Sequence, residues 1–162
     1  MSSILAPQEF PPSREEVSAV TEETEPTRNF RLVRGGRFST GENLTTEQAN
    51  YDGNYPYNNH VKGEYRQKTV AVDSLKPNTF GLYNMHGNVW EWCSDWYGSD
   101  YYKECKGKGV VKNPQGPATG SDRVLRGGSW YDDAENCRSA SRITDTPGAR
   151  NSYVGFRLVF VP

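Results

Sequence analysis

Residues 81–97 read GLYNMHGNVWEWCSDWY, the densest aromatic stretch of the chain. Trp90, Trp92 and Trp96, with Tyr83 and Tyr97, supply large apolar rings, each worth roughly 1.5–3 kcal/mol when fully buried. The stretch therefore reads as a core anchor, entered through a Gly87-Asn88 turn. It also carries oxygen donors: the side chains of Asn84 and Glu91 and the carbonyls of the turn. A hard cation such as Ca²⁺ takes about 6–8 oxygens from such a mixture of side chains and carbonyls. His86, beside Gly87, reads as a turn residue satisfied by hydrogen bonds rather than as a base.

Working outward, 162 residues suit one domain with a core of its own. The 19 Lys and Arg against 20 Asp and Glu leave a net charge of -1, so no broad basic field exists to hold a phosphate backbone and nucleic acid is not expected as a partner. An apolar fraction of 34% would suggest disorder but for 10 Tyr, 6 Phe and 4 Trp. The 16 Gly and 10 Pro point to turns and irregular loops rather than a helical bundle. No apolar run approaches the ~18 residues of a membrane span, and MSSILAPQEFPPSREE at the start lacks a basic, then apolar, leader pattern. The expected location is cytoplasmic, with no membrane partner. Cys93, Cys105 and Cys137 are odd in number and lack CxxC spacing, and neither His60 nor His86 completes a ligand pattern with them, so neither a disulfide framework nor structural zinc is expected.

Residues 1–29 read as a polar, flexible arm with prolines at 7, 11, 12 and 26, an acidic cluster (Glu22, Glu23, Glu25) and one capping-box signal, Ser13-x-x-Glu16. The domain occupies residues 30–162. Its class is α+β, with short strands and much irregular loop: a strand at 29–33, a helical turn at Thr45–Gln48, strands at 68–72 (KTVAV) and 123–130 (RVLRGGSW), and a closing strand at 154–161. Residues 98–121 read as loop. The two glycines before Ser129 and Trp130 imply a bulge or a close backbone approach. Arg126, Arg138, Arg142, Arg150 and Arg157 are expected to pair structurally with Asp95, Asp122 or Asp145. Three polar stretches lie between the apolar blocks: 131–135, 143–146 and 151–154. They offer adaptable side chains for a ligand: Tyr131, Asp132, Asp133, Glu135, Ile143, Thr144, Asp145, Thr146, Asn151, Ser152 and Tyr153.

Four motifs in order, GLYNMHGNVWEW (81–92), NPQGPATGSDRVLRGGSW (113–130), NCRSASR (136–142) and GFRLVF (155–160), resemble the C-terminal half of the formylglycine-generating enzyme family, the sulfatase-modifying-factor domain. The resemblance covers about residues 39–162, and ANYDGNYPY (49–57) and KGEYRQKTVAV (62–72) are similar to bacterial members. It implies a variant of the C-type-lectin fold and structural Ca²⁺. One calcium site would be built from the Asn84 side chain, the Gly87 and Val89 carbonyls and the Glu91 carboxylate. A second would involve Asn50, Tyr51, Gly63 and Tyr65, with Glu64 adjacent. Family members carry a longer N-terminal half, of which only Phe30–Leu32 and Arg34–Gly36 resemble remnants here.

The enzyme that names the family oxidises a cysteine of a target sulfatase to formylglycine with two cysteines that bind copper(I). Counted forward from Gly127, Gly128 and Ser129, the first of these falls on Asp132 and the second on Cys137; counted back from GFR, Cys137 is three residues out of register. A hard carboxylate does not replace a thiolate for Cu(I). Copper is therefore not expected and no catalytic residue is assigned. Cys137, the one weak candidate, reads better as a buried apolar thiol. The leading expectation is a non-catalytic module that binds a protein or small molecule through the 131–154 loops, similar to the variable proteins of diversity-generating retroelements. The alternatives are a divergent oxidase using Cys137, and a truncated member that needs a partner chain or self-association. A relative of the iron-dependent sulfoxide synthases is disfavoured by the presence of only two histidines.

Overall fold

The structure, a computed structural model, describes residues 37–108, 111–112 and 114–159. The arm at 1–29 and the strand expected at 29–33 lie outside the described residues. Within them, β1 (Trp90–Trp96), α1 (Tyr101–Gly107), β2 (Arg123–Arg126), β3 (Arg142–Asp145) and β4 (Val154–Gly155) follow in chain order. The strands form one small mixed sheet in the order β3-β2-β1-β4. β1 and β3 run antiparallel to β2, while β4 runs parallel to β1. Among the described residues no helix is long and apolar enough to cross a membrane.

The aromatic content of residues 90–96 suits a pleated, half-buried surface, and the sequence reading of an anchor holds for Trp90, which is buried, while Trp92 and Trp96 are half-buried. The main apolar cluster lies in the loops: Phe38, Leu44, Ala49, Tyr51, Ala134 and Cys137, with Tyr57 packed against them. Loops can enclose a core only if their buried backbone groups find partners. Asparagines and close glycine contacts supply many of these.

Asn88 shows how, and corrects the strand expected at 68–72. Its Oδ1 accepts from Val70 N at 2.9 Å and its Nδ2 donates to the Val70 carbonyl at 3.3 Å, while Asn50 Nδ2 donates to the Lys68 carbonyl at 2.9 Å. Side-chain amides thus stand where a neighbouring strand would, and KTVAV is not a strand. Three further expectations are corrected. The stretch 98–121 contains α1. Residues 143–145 form most of β3, paired to β2 from Arg123↔Asp145 to Arg126↔Arg142. The closing strand shrinks to Val154–Gly155 within the described residues, because β4 pairs with β1 only at Trp90↔Val154 and Glu91↔Gly155.

Burial raises the Asp95 carboxyl, opposed by Arg126 and Arg142, two of the pairings expected, while the hydrogen bonds of these arginines go to carbonyls. Arg126 Nη1 donates to the carbonyls of Ser139 and Ser141, and Arg157 pairs with Glu91. The Arg142 guanidinium lies 3.9 Å from the Tyr102 ring centre and donates to the Gly98 carbonyl, fastening α1 to the sheet. The helical turn at Thr45–Gln48 is present, closed by Ala49 N donating to the Thr45 carbonyl and by Thr45 N donating to Gln48 Oε1, both at 3.0 Å.

Candidate functional site: a sealed loop interior beneath an aromatic face

The loop after β2 begins with Gly127 and Gly128 at φ of +98° and +75°. A Cβ on Gly128 would meet Cys137 Sγ at 2.6 Å and Cys137 Cα at 2.9 Å, so only glycine lets the two arms of the loop touch. This is the close approach expected from the sequence. It turns Ser129 fully inward and Trp130 and Tyr131 outward.

Inside, Trp90 Nε1 donates to Asp132 Oδ2 at 2.8 Å, and the Ser129 hydroxyl donates to the same oxygen in a short hydrogen bond. The Asp132 carbonyl accepts from Asp52 N at 2.8 Å, and the Tyr55 carbonyl accepts from Ala134 N at 3.1 Å, stitching the loop to residues 52–55. Burial raises the Asp132 carboxyl above its ordinary range, opposed by the bonds from Ser129 and Trp90. Cys137 is wholly buried; desolvation, with Asp132 and Asp133 adding to it, holds the thiol protonated far above the usual range. Burial likewise pushes the Cys93 thiol up to about 12.

His86 closes this interior. Its Nε2 accepts from Ser39 N at 2.7 Å, which leaves the proton on Nδ1 to donate to the Cys137 carbonyl, also at 2.7 Å. Burial lowers its pKa below the ordinary value, against the bond to Cys137, which raises it. The residue is a hydrogen-bonded turn histidine, as read from its setting.

Outside, four rings run in a ladder. Tyr65 stacks on Trp130 with centroids 6.4 Å apart, Trp130 meets Tyr131 edge-on at 5.6 Å, and Tyr131 stacks on Tyr153 at 6.2 Å. Tyr131 is 63% exposed. Trp130 Nε1 donates to the Ser152 carbonyl at 3.3 Å, and Trp90 N donates to the Tyr153 carbonyl at 2.8 Å, so residues 151–153 are held beside 130–131. Asn54, Tyr55, Pro56, Asn59, His60 and Lys62 line an open cleft of about 340 Å³.

The ligand surface expected from sequence divides in two. Tyr131, Asp132, Asp133 and Glu135 share one loop, and Tyr131 touches Tyr153, next to Asn151 and Ser152. Ile143, Thr144 and Asp145 sit on β3, and Thr146 follows it, at the opposite edge of the sheet from β4. Three strand spacings separate those edges, about 14 Å, so one continuous surface over all eleven residues is not formed. Asp132 points inward, Asp133 Oδ1 accepts from Asn136 N, and Glu135 pairs with Arg138 at 3.0 Å. Tyr65 and Trp130 complete the ladder and were not foreseen as ligand residues; nothing in their local sequence says that they meet.

The two calcium sets differ. In the first, Asn84 sits at φ +49°, its Nδ2 donates to the Val72 carbonyl, and its Oδ1 is buried without a partner. Both Glu91 oxygens accept from Arg157, at 2.9 and 2.7 Å, and Arg157 also reaches the Tyr83 carbonyl. In the second, Asn50 is wholly buried with Oδ1 likewise unpartnered. Its companions are engaged elsewhere: the Tyr51 hydroxyl donates to the Leu44 carbonyl, Gly63 abuts Thr46, and Tyr65 stands in the ladder. Among the described residues no three His, Cys, Asp or Glu side chains converge, so a cation would draw on amide and carbonyl oxygens. Each set leaves one buried amide oxygen without a partner, the kind of donor a hard cation takes, while both Glu91 oxygens are occupied by Arg157. The copper position does not fit its metal: it offers a hydrogen-bonded carboxylate and a buried, protonated thiol, where Cu(I) takes thiolates.

The family described as Sulfatase-modifying factor enzyme 1-like domain matches residues 16–161. The formylglycine-generating enzyme of Streptomyces coelicolor is 39% identical over 130 residues, covering 76% of this chain and 40% of that protein. The serine/threonine-protein kinase pkn1 of Chlamydia pneumoniae is 41% identical over 121 residues, 75% of this chain but 17% of its own length. The chain thus spans between about a sixth and two fifths of these curated relatives. Among solved structures, Treponema denticola variable protein 1 aligns over 68% of this chain and 35% of its own, with TM-score 0.51 and 35% identity. From the motif order, the family match and these identities together, the chain belongs to the sulfatase-modifying factor family.

Proposed function

We propose that this chain is a non-catalytic binding module of the family, on its C-type-lectin-like fold, taking a protein or small-molecule ligand on the face formed by Tyr131, Tyr153 and their neighbours. The observation that carries this is the contrast between adjacent residues 131 and 132. Tyr131 stands open to solvent, while Asp132, at the position where the family's enzyme needs a thiolate, is tied down by Trp90 and Ser129. Cys137, the remaining sulfur, is buried and protonated. The likeness to the Treponema variable protein supports the reading, and a reverse transcriptase and near-copy repeat beside the gene would extend it to a diversity-generating retroelement. Calcium in this reading is structural, held by Asn84, the Gly87 and Val89 carbonyls and Glu91, and it fixes the turn that carries Trp90.

The test is selection of an unbiased peptide library on the whole chain, followed by binding to variants of each sheet edge. Binders lost with Tyr131→Ala and Tyr153→Ala but kept with Asp145→Ala support the proposal. Binders that ignore both tyrosines, or oxidation of a cysteine peptide to an aldehyde that Cys137→Ser abolishes, would overturn it.

A further inference from the structure

We propose that the ladder Tyr65, Trp130, Tyr131 and Tyr153 is a seat for a guanidinium side chain of a partner polypeptide, with Asp133 supplying the opposite charge. This rests on the outer-face reading above and names the chemistry of the ligand. The negative faces of aromatic rings attract cations, and a planar guanidinium stacks on them better than an ammonium does. The rings are held in place: Trp130 by its bond to the Ser152 carbonyl, and Tyr153 by Trp90 N on its carbonyl. The ligand therefore meets a preorganised surface.

The fold already uses this pairing on its other aromatics. Arg123 lies 3.6 Å from the centre of the Trp96 ring, Arg142 covers Tyr97 and Tyr102, and Arg37 lies over Tyr57. Among the described residues no cation covers any of the four ladder rings. The charges at the ladder are carboxylates. Asp52 adjoins the loop through its backbone bond to Asp132, but it is buried and its Oδ1 accepts from Asn54. Asp133 follows Asp132 on the same loop, with Oδ1 spent on Asn136 N. A phosphate-bearing ligand would be repelled by these groups, and stacked nucleobases need a cationic groove for their backbone.

The test uses the full chain and three labelled peptides of glycine and serine, carrying two arginines, two lysines or two citrullines. Citrulline keeps the planar shape without the charge. The expected order of affinity is arginine, then lysine, with citrulline at least tenfold weaker than arginine. Tyr65→Ala and Tyr131→Ala should each weaken the arginine peptide about two- to fivefold, Asp133→Asn should weaken it in low salt, and Asp145→Ala should leave it unchanged. Thermal melts of each variant separate lost binding from lost fold. Equal binding of the citrulline peptide, no saturable binding of the arginine peptide, or indifference to Tyr65 in a folded variant would overturn the inference. If library binders depend on Tyr131 yet carry no basic residue, the guanidinium seat is wrong and the outer-face reading stands.

Discussion

The two sides of the 127–137 loop are made from near neighbours in sequence and have opposite characters. On the inner side Ser129 and Cys137 are wholly buried, and the half-buried Asp132 accepts from Ser129 and Trp90. The outer side is a row of rings in which Trp130 is half-buried against Tyr65 and Tyr131 is exposed. In the proposed reading the inner positions, where the resemblance puts the family's thiolates, serve as a structural clasp, and the surface that the clasp supports is what a ligand would meet.

Breaking the inner side should cost most. Gly128 and Gly81 share a φ of +75°, but a Cβ at Gly128 strikes Cys137 while one at Gly81 meets nothing within 4 Å. Gly128→Ala should therefore destabilise by more than about 3 kcal/mol, or prevent folding, whereas Gly81→Ala should cost only the ~1–2 kcal/mol of the left-handed backbone. Urea unfolding of the pair measures the difference. Calcium removal comes next. At a free concentration a hundred times its dissociation constant, Ca²⁺ should stabilise the chain by about 2.7 kcal/mol, seen as a midpoint lowered by chelator, and Glu91→Ala should abolish the response. Asp132→Ala, which strands Trp90 Nε1, should cost about 1–3 kcal/mol. Asp132→Asn keeps an acceptor and sheds a partly buried charge, so it should stay within about 1 kcal/mol of the parent.

A smaller effect is carried by pH. Burial lowers the His86 pKa in the folded chain, so the unfolded chain binds the proton more readily and stability rises with pH through that window. The contribution is complete above the ordinary value of 6.5 and is lost as pH falls towards the lowered one. Melting temperature should drop between pH 7.5 and 5.5, and the drop should shrink in His86→Gln. The smallest change belongs to the outer side: Tyr131→Ala should alter stability by no more than about 0.5 kcal/mol while removing binders.

Sequence reasoning recovered what depends on local chemistry. The Gly127-Gly128 approach, the bonded role of His86 and the Thr45–Gln48 turn were all readable, because each rests on local constraints. The misreadings share a different cause. KTVAV has strand composition, but its partner is the Asn88 side chain, 18 residues away. ITDT looks like a polar loop, yet pairing with β2 makes most of it a strand, and this carries Ile143 to Thr146, four of the eleven expected ligand residues, to the far edge. Tyr65 and Trp130 lie 65 positions apart in sequence and meet only through the fold, so no spacing could announce the ladder.

The contrast between the two sides is tested most directly by native-state alkylation with iodoacetamide, read for each cysteine by peptide mass spectrometry. The half-exposed Cys105 serves as the internal control against the buried Cys137. The predicted result is prompt labelling of Cys105, with Cys137 reacting only as fast as the whole chain unfolds. Prompt labelling of Cys137 in the folded protein would contradict a sealed interior and reopen the oxidase reading.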